Sequence, residues 1–127
     1  WEYVARNAGL AEGNYSFGNS KNGLSDHAWY SQNAGSKTHP VGEKKPVLYN
    51  GKPIYDLHGN VWVWIQDWYG NNISGGTDPQ GPPSGSYRVI RGGGWYYAAQ
   101  YLRSAYRYYD GPADRYYDFG FRLVRTP

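Results

Sequence analysis

Three histidines, a few aspartates and a dense run of tyrosines are the residues of this chain with chemistry to offer. His27, His39 and His58 could ligate a metal or move a proton, but their spacing does not make a ligand set. Zinc and copper sites draw on clustered imidazoles and thiolates, and the chain contains no cysteine. That absence removes thiolate metal ligands and disulfides together. His39 precedes Pro40 and His58 precedes Gly59, where an imidazole is expected to hydrogen-bond loop backbone. Asp56 and Asp67 could serve as a general acid and base, although buried carboxylates more often act as structural hydrogen-bond acceptors. The glycines at 92–94 lack the trailing lysine and hydroxyl residue of a phosphate loop. No catalytic residue, metal ligand or cofactor is therefore expected.

What remains is tyrosine. Tyr96, Tyr97, Tyr101, Tyr106, Tyr108, Tyr109, Tyr116 and Tyr117 all lie in one C-terminal segment. A core role would demand a hydrogen-bond partner for every buried hydroxyl. An exposed role is cheaper, because a tyrosine ring offers wide amphipathic contact at little entropic cost, as in antibody loops. Two or three of these tyrosines are expected to be partly structural and the rest exposed, and an exposed patch of that size marks an interaction site.

The other residues of the segment sort into two sets. A frame is formed by Trp95, Leu102, Arg103, Ser104, Ala105, Arg107, Pro112, Arg115, Gly120 and Phe121. Between them sit the tyrosines together with Ala98, Asp110, Gly111, Ala113, Asp114 and Asp118. An asparagine codon, AAY, whose adenines are replaced freely can encode Tyr, Asp, Ala, Gly, Ser or Phe, but never Lys, Glu, Gln, Met, Trp or a stop. Every interstitial residue named here falls in the reachable set. Together these positions are predicted to form a ligand-binding face. Alternation along 103–108 would put Tyr106 and Tyr108 on one side of a strand, with Arg103, Arg107, Arg115 and Arg122 turned into the domain.

The elements that must position this face follow from composition. A chain of 127 residues makes one domain with a single core. Eighteen glycines, eight prolines and 18% charged residues indicate a turn-rich chain, while 19% aromatic content argues against disorder. The net charge is +3 with no basic run longer than Lys44-Lys45, so no nucleic-acid partner is expected. No apolar run approaches the roughly 20 residues of a membrane span. Lysine and glutamate are absent after Lys52, in keeping with arginine's suitability for geometrically fixed pairs. Residues 1–9 read as the end of a helix stopped at Gly9, with Trp1, Val4 and Ala5 on one face. Residues 10–52 read as loops, Tyr55–Tyr69 as a strand covered on both faces, and YRVIRGG, LRSAYRYY and GFRLVRT as short strands. The result is an α+β domain with irregular connections.

In order and spacing, THPVGEKKP, YDLHGNVWVWIQDWY, YRVIRGGGW, LRSAYR and GFRLVR resemble the formylglycine-generating enzyme (sulfatase-modifying factor) superfamily. The resemblance implies a C-type-lectin-like fold of the formylglycine-generating-enzyme type, a twisted antiparallel sheet with long loops. It further implies that residues 1–127 are the C-terminal part of one such domain, with the variable region at about 88–124 and the N-terminal part missing. Asp56 and Asp67 both fall in family frame sequence. Oxidase members hold copper with a cysteine pair that this chain lacks, and Val63 stands where the family has a calcium-binding glutamate. The tyrosine pattern is similar to the variable proteins of diversity-generating retroelements, many of which use this scaffold. These features imply a non-catalytic display protein with a hypervariable face, an unknown protein or glycan ligand, and a place on a cell surface or phage particle. The alternatives are a superfamily enzyme with a non-cysteine site and a glycan-binding lectin of fixed specificity.

Overall fold

The computed structural model describes residues 1–73, 75–77 and 79–124. Helix α1 spans only Glu2–Ala5, because the chain enters the left-handed region at Asn7 and Ala8, before Gly9 is reached. A second short helix, α2 (Leu24–His27), follows a 3-10 turn at Lys21–Gly23 whose N-terminus is capped by the Ser20 hydroxyl. Strands β1 (Val47–Tyr49) and β2 (Lys52–Ile54) form an antiparallel hairpin around Asn50-Gly51. Both turn residues have positive φ, 49° and 73°, the backbone that two-residue hairpin turns require and that Asn-Gly supplies.

The scaffold of the C-terminal half is a four-stranded sheet. Its central strands are β3 (Trp62–Trp68) and β4 (Arg88–Arg91), antiparallel, with a register irregularity between Trp64 and Trp68. The edges are β5 (Tyr108–Asp110), antiparallel to β4, and β6 (Phe119–Gly120), parallel to β3. The sheet order is β5-β4-β3-β6, so the expected antiparallel sheet carries one parallel pair at its edge. Trp62 and Val63 are both buried, so β3 is covered on both faces at its start; this protection fades to an exposed Gln66.

All four expected strands are shorter than the sequence suggests: Tyr55–Tyr69 forms a strand only over Trp62–Trp68, and YRVIRGG only over Arg88–Arg91. Residues 102–109 pair only from Tyr108 onward, since the chain first winds through a 3-10 turn at Ala99–Leu102. The GFRLVRT run contributes only Gly120 to β6, while Phe121, Leu123 and Val124 stand exposed. Positions 125–127 of that run lie outside the described residues.

Two buried ionisable groups tie the N-terminal elements to the C-terminal segment. His58 is enclosed at 1% exposure by the edges of Trp1, Tyr15 and Phe17. The Ser16 backbone N–H donates to Nε2 at 3.2 Å, which leaves the proton on Nδ1, donated to the Leu102 carbonyl at 2.7 Å. The Ser16 hydroxyl lies 2.8 Å from the same Nε2. Burial pushes the imidazole down to about 4, only partly offset by the Leu102 hydrogen bond. Next to His58, Gly59 has φ +75°, and a Cβ there would meet the Trp29 carbonyl oxygen at 2.3 Å. Arg91, also buried, pairs with Glu2, donates to the Tyr106 carbonyl at 2.6 Å and lies over the Trp1 ring. Burial alone would raise the Glu2 carboxyl, but Arg6 and Arg91 hold it below its usual value.

Candidate functional site

The C-terminal segment leaves β4, turns at Gly92–Gly94, builds one edge of the sheet as β5 and then reaches the opposite edge as β6. Residues 111–118 therefore link the two edges past both central strands. This route brings three sequence-distant pieces together around one cavity of about 550 Å³. The turn after β4 contributes Trp95, Tyr96 and Tyr97; β5 contributes Tyr108 and Asp110. The linking loop contributes Tyr116, Tyr117 and Asp118, and Phe119 closes the wall. A second concavity, about 340 Å³, shares Tyr116 and Phe119 and extends over Trp64, Ala113, Asp114 and Arg115.

The tyrosines divide by depth. Tyr96, Tyr116 and Tyr117 are 70%, 52% and 84% exposed, and Tyr108 and Tyr109 are also open to solvent. Tyr97, Tyr101 and Tyr106 are half-buried. Tyr97 and Tyr101 pack against the cluster of Tyr15, Leu24, Ala28, Tyr30 and Leu102. Tyr97 sets its ring edge-on to Trp62 at 5.1 Å, and Tyr106 does the same to Tyr101 at 5.2 Å. Tyr106 and Tyr108 lie near-parallel with centroids 6.5 Å apart, although only Tyr108 belongs to a strand. Of the remaining interstitial positions, Ala98 and Gly111 are half-buried, and Ala113 and Asp114 are exposed.

The carboxylates are less exposed than their sequence context suggests. Asp118 is buried at 8% exposure, with its carbonyl accepting from Trp62 N–H at 2.7 Å. Burial raises its carboxyl, partly opposed by its own backbone N–H. Asp110 is half-buried, and its carboxyl is raised by burial and by the neighbouring carboxyl of Asp114. Asp110 and Asp114 both accept from Gly111 N–H, at 2.9 and 3.0 Å, which fixes the turn out of β5.

The arginine expectation holds in part. Arg107 donates to the Gly70 carbonyl and covers Tyr69, Arg103 donates to the Gln100 carbonyl, and Arg122 donates to the Tyr55 and Asp56 carbonyls. Arg122 is nonetheless exposed, and Arg115 is exposed on the linking loop, where no strand pairing turns it inward. The frame residues Leu102 and Ser104 are fully buried, whereas Ala105, Pro112 and Phe121 are exposed.

The three histidines and Asp56, weighed for other chemistry, are held by structural contacts, whereas Asp67 is half-buried without such a bond among the described residues. His39 bonds the Ala34 carbonyl at 2.8 Å, stacks on Trp29 and has Glu43 at 3.8 Å, a neighbour four residues on. His27 bonds the Lys45 carbonyl. Asp56 accepts from Gly42 N–H. Among the described residues no three His, Asp or Glu side chains gather into a metal-binding group. The ions implied by the family resemblance do not fit these residues: thiolates are absent, and Val63 is a buried apolar side chain without an oxygen. No described helix is long and apolar enough to cross a membrane.

With this architecture in view, the class of protein is defined: residues 1–127 match the sulfatase-modifying factor enzyme 1-like domain, and the chain belongs to that family. The fold is the α+β, C-type-lectin-like one of this family. Among solved structures, the chain is similar to Treponema denticola variable protein 1, at 40% identity and a TM-score of 0.85, covering 95% of this chain and 43% of that one. A formylglycine-generating enzyme of Thermomonospora curvata is 30% identical over 144 aligned residues, covering all of this chain and 47% of the relative. The serine/threonine-protein kinase pkn1 of Chlamydia pneumoniae is 40% identical over 78 residues, 58% of this chain and 13% of the relative. The chain thus spans less than half the length of each.

Proposed function

We propose that this domain is a non-catalytic, ligand-binding display module whose C-terminal face is diversified by a retroelement. One observation carries the reading. Apart from Trp95 and Phe119, every residue lining the larger cavity is one of the interstitial positions whose residues an AAY codon can reach. The side chains that hold the sheet and its connections, such as Trp62, Arg91, Leu102 and Ser104, lie outside those interstitial positions. A division of labour of this kind lets the face change while the frame stays folded. The similarity to a protein called a variable protein supports the same reading. Kinship to formylglycine-generating enzymes favours an enzyme in general terms, but their copper chemistry has no thiolate to use in this chain.

The test is genetic. DNA flanking the gene is sequenced, together with the 3′ coding segment from many cells of one population. The expected result is a reverse transcriptase gene, a near-copy of the segment with adenines at the interstitial codons, and substitutions confined to those codons. Substitutions spread evenly over Trp62, Leu102 and Ser104 as well, with no template copy, would overturn the proposal.

A further inference from the structure

The larger cavity combines aromatic walls with carboxylates. Its walls are aromatic, with Trp95 and Tyr96 edge-to-face at 5.6 Å and Tyr117 tilted 32° against Trp95 at 6.4 Å. Its lining also includes two carboxylates, Asp110 and Asp118, and Asp118 is more than nine-tenths buried. Buried carboxylates are ordinarily paired, because removing a charge from water without a partner is costly. The ion pairs among the described residues engage Glu2, Asp26 and Glu43, and none involves Asp110, Asp114 or Asp118. Burial accordingly raises the carboxyls of Asp110 and Asp118. The chain as a whole is positive, at +3, so this acidic cavity is a local exception to the net charge.

Aromatic faces and desolvated carboxylates share one complementary ligand. The ring faces carry negative potential that attracts a cation, more strongly where water is excluded. The carboxylates accept hydrogen bonds from the same cation and gain the charged partner they lack. At about 550 Å³ the cavity has room for a whole basic side chain. Resting on the binding role proposed above, we infer that this cavity takes an organic cation: the guanidinium or ammonium head of a basic side chain presented by the ligand.

The experiment titrates four small probes into the full chain and follows the Trp95 indole and tyrosine resonances by NMR. The probes are N-acetyl-arginine amide, N-acetyl-lysine amide, tetramethylammonium and the neutral isostere N-acetyl-citrulline amide. Saturable shifts are expected with the arginine or lysine derivative, at least tenfold weaker with citrulline. Tetramethylammonium separates the sources: a response matching the basic side chains assigns the site to any compact alkylammonium, and a weaker one assigns it to hydrogen-bonding side chains. Asp118→Asn is expected to weaken arginine binding at least tenfold, and Tyr117→Ser, an exposed change, to weaken it severalfold with the melting temperature unchanged. Equal binding of citrulline and arginine, or no saturable shift with any cation, would overturn the inference. Neither result touches the flanking-DNA test, so the binding role and its cationic ligand can fail separately.

Discussion

Acidification should release the C-terminal segment from its anchor at His58. The folded protein keeps this imidazole neutral, with its value near 4 instead of 6.5, whereas the unfolded chain protonates it normally. Stability from His58 is therefore intact above about pH 6.5, and falls as the pH drops from there toward 4. At about 1.4 kcal/mol per pH unit, the interval from 6.5 to about 4 amounts to about 3 kcal/mol, a large share of a small domain's stability. The geometry explains the loss, since a protonated Nε2 can no longer accept from Ser16 N–H and the charge has no water. Urea unfolding between pH 7.5 and 4 measures it, with His58→Gln as the reference. The variant should be less stable at neutral pH, but its stability should decline more shallowly over this window. Glu2, whose carboxyl is lowered, and the raised carboxyls of Asp110 and Asp118 are common to both proteins and cancel in the difference. Two-bond 1H–15N spectra should show His58 as the Nδ1–H tautomer down to about pH 4.5. A His58 that titrates near 6.5, or parallel curves for the two proteins, would refute the reasoning.

Three further outcomes are expected. Trp62→Ala should cost about 3–5 kcal/mol by opening a cavity under the site, whereas the combined variant Tyr96→Ser, Tyr116→Ser, Tyr117→Ser should melt within a few degrees of the native protein; paired thermal melts check both. Asp118→Asn should raise the melting temperature at pH 7, because the buried carboxyl is costly to ionise. That gain should close as the pH falls through and below 3.8, where both states hold the proton; melts across this range check it. Gly59→Ala should leave little folded protein, since a Cβ would meet the Trp29 carbonyl at 2.3 Å in a backbone conformation unfavourable to alanine; circular dichroism of the purified variant reports it.

Local signals carried the sequence reading furthest where one residue's partners lie nearby or where burial is continuous. The Trp62–Trp68 strand is legible because β-branched and aromatic residues fill positions 62–65 and return at Trp68. The Asn50-Gly51 hairpin was equally legible, yet the loop-like composition of residues 10–52 obscured it. LRSAYRYY reads as a strand by alternation, but pairing depends on where Val89 and Ile90 present their backbone, and that restricts β5 to Tyr108–Asp110. The candidate binding residues could be named from their codon-like pattern. The meeting of seven of them around one cavity could not be, because it depends on the segment taking both edges of the sheet. The burial of Asp118 was hidden for the same reason, since parallel pairing of the next residue, Phe119, with Trp62 draws it inward.

Placing the segment at both margins of the sheet also bears on how the protein avoids sticking to copies of itself. Unpaired sheet margins template aggregation, and proteins guard against this by keeping such strands very short. Here β5 has three residues and β6 has two, so each margin offers only a brief stretch of free backbone. Their pairing runs through main-chain groups, which are the same whatever side chain is attached. Under the display role proposed above, replacing a tyrosine would change the face without lengthening a sticky margin.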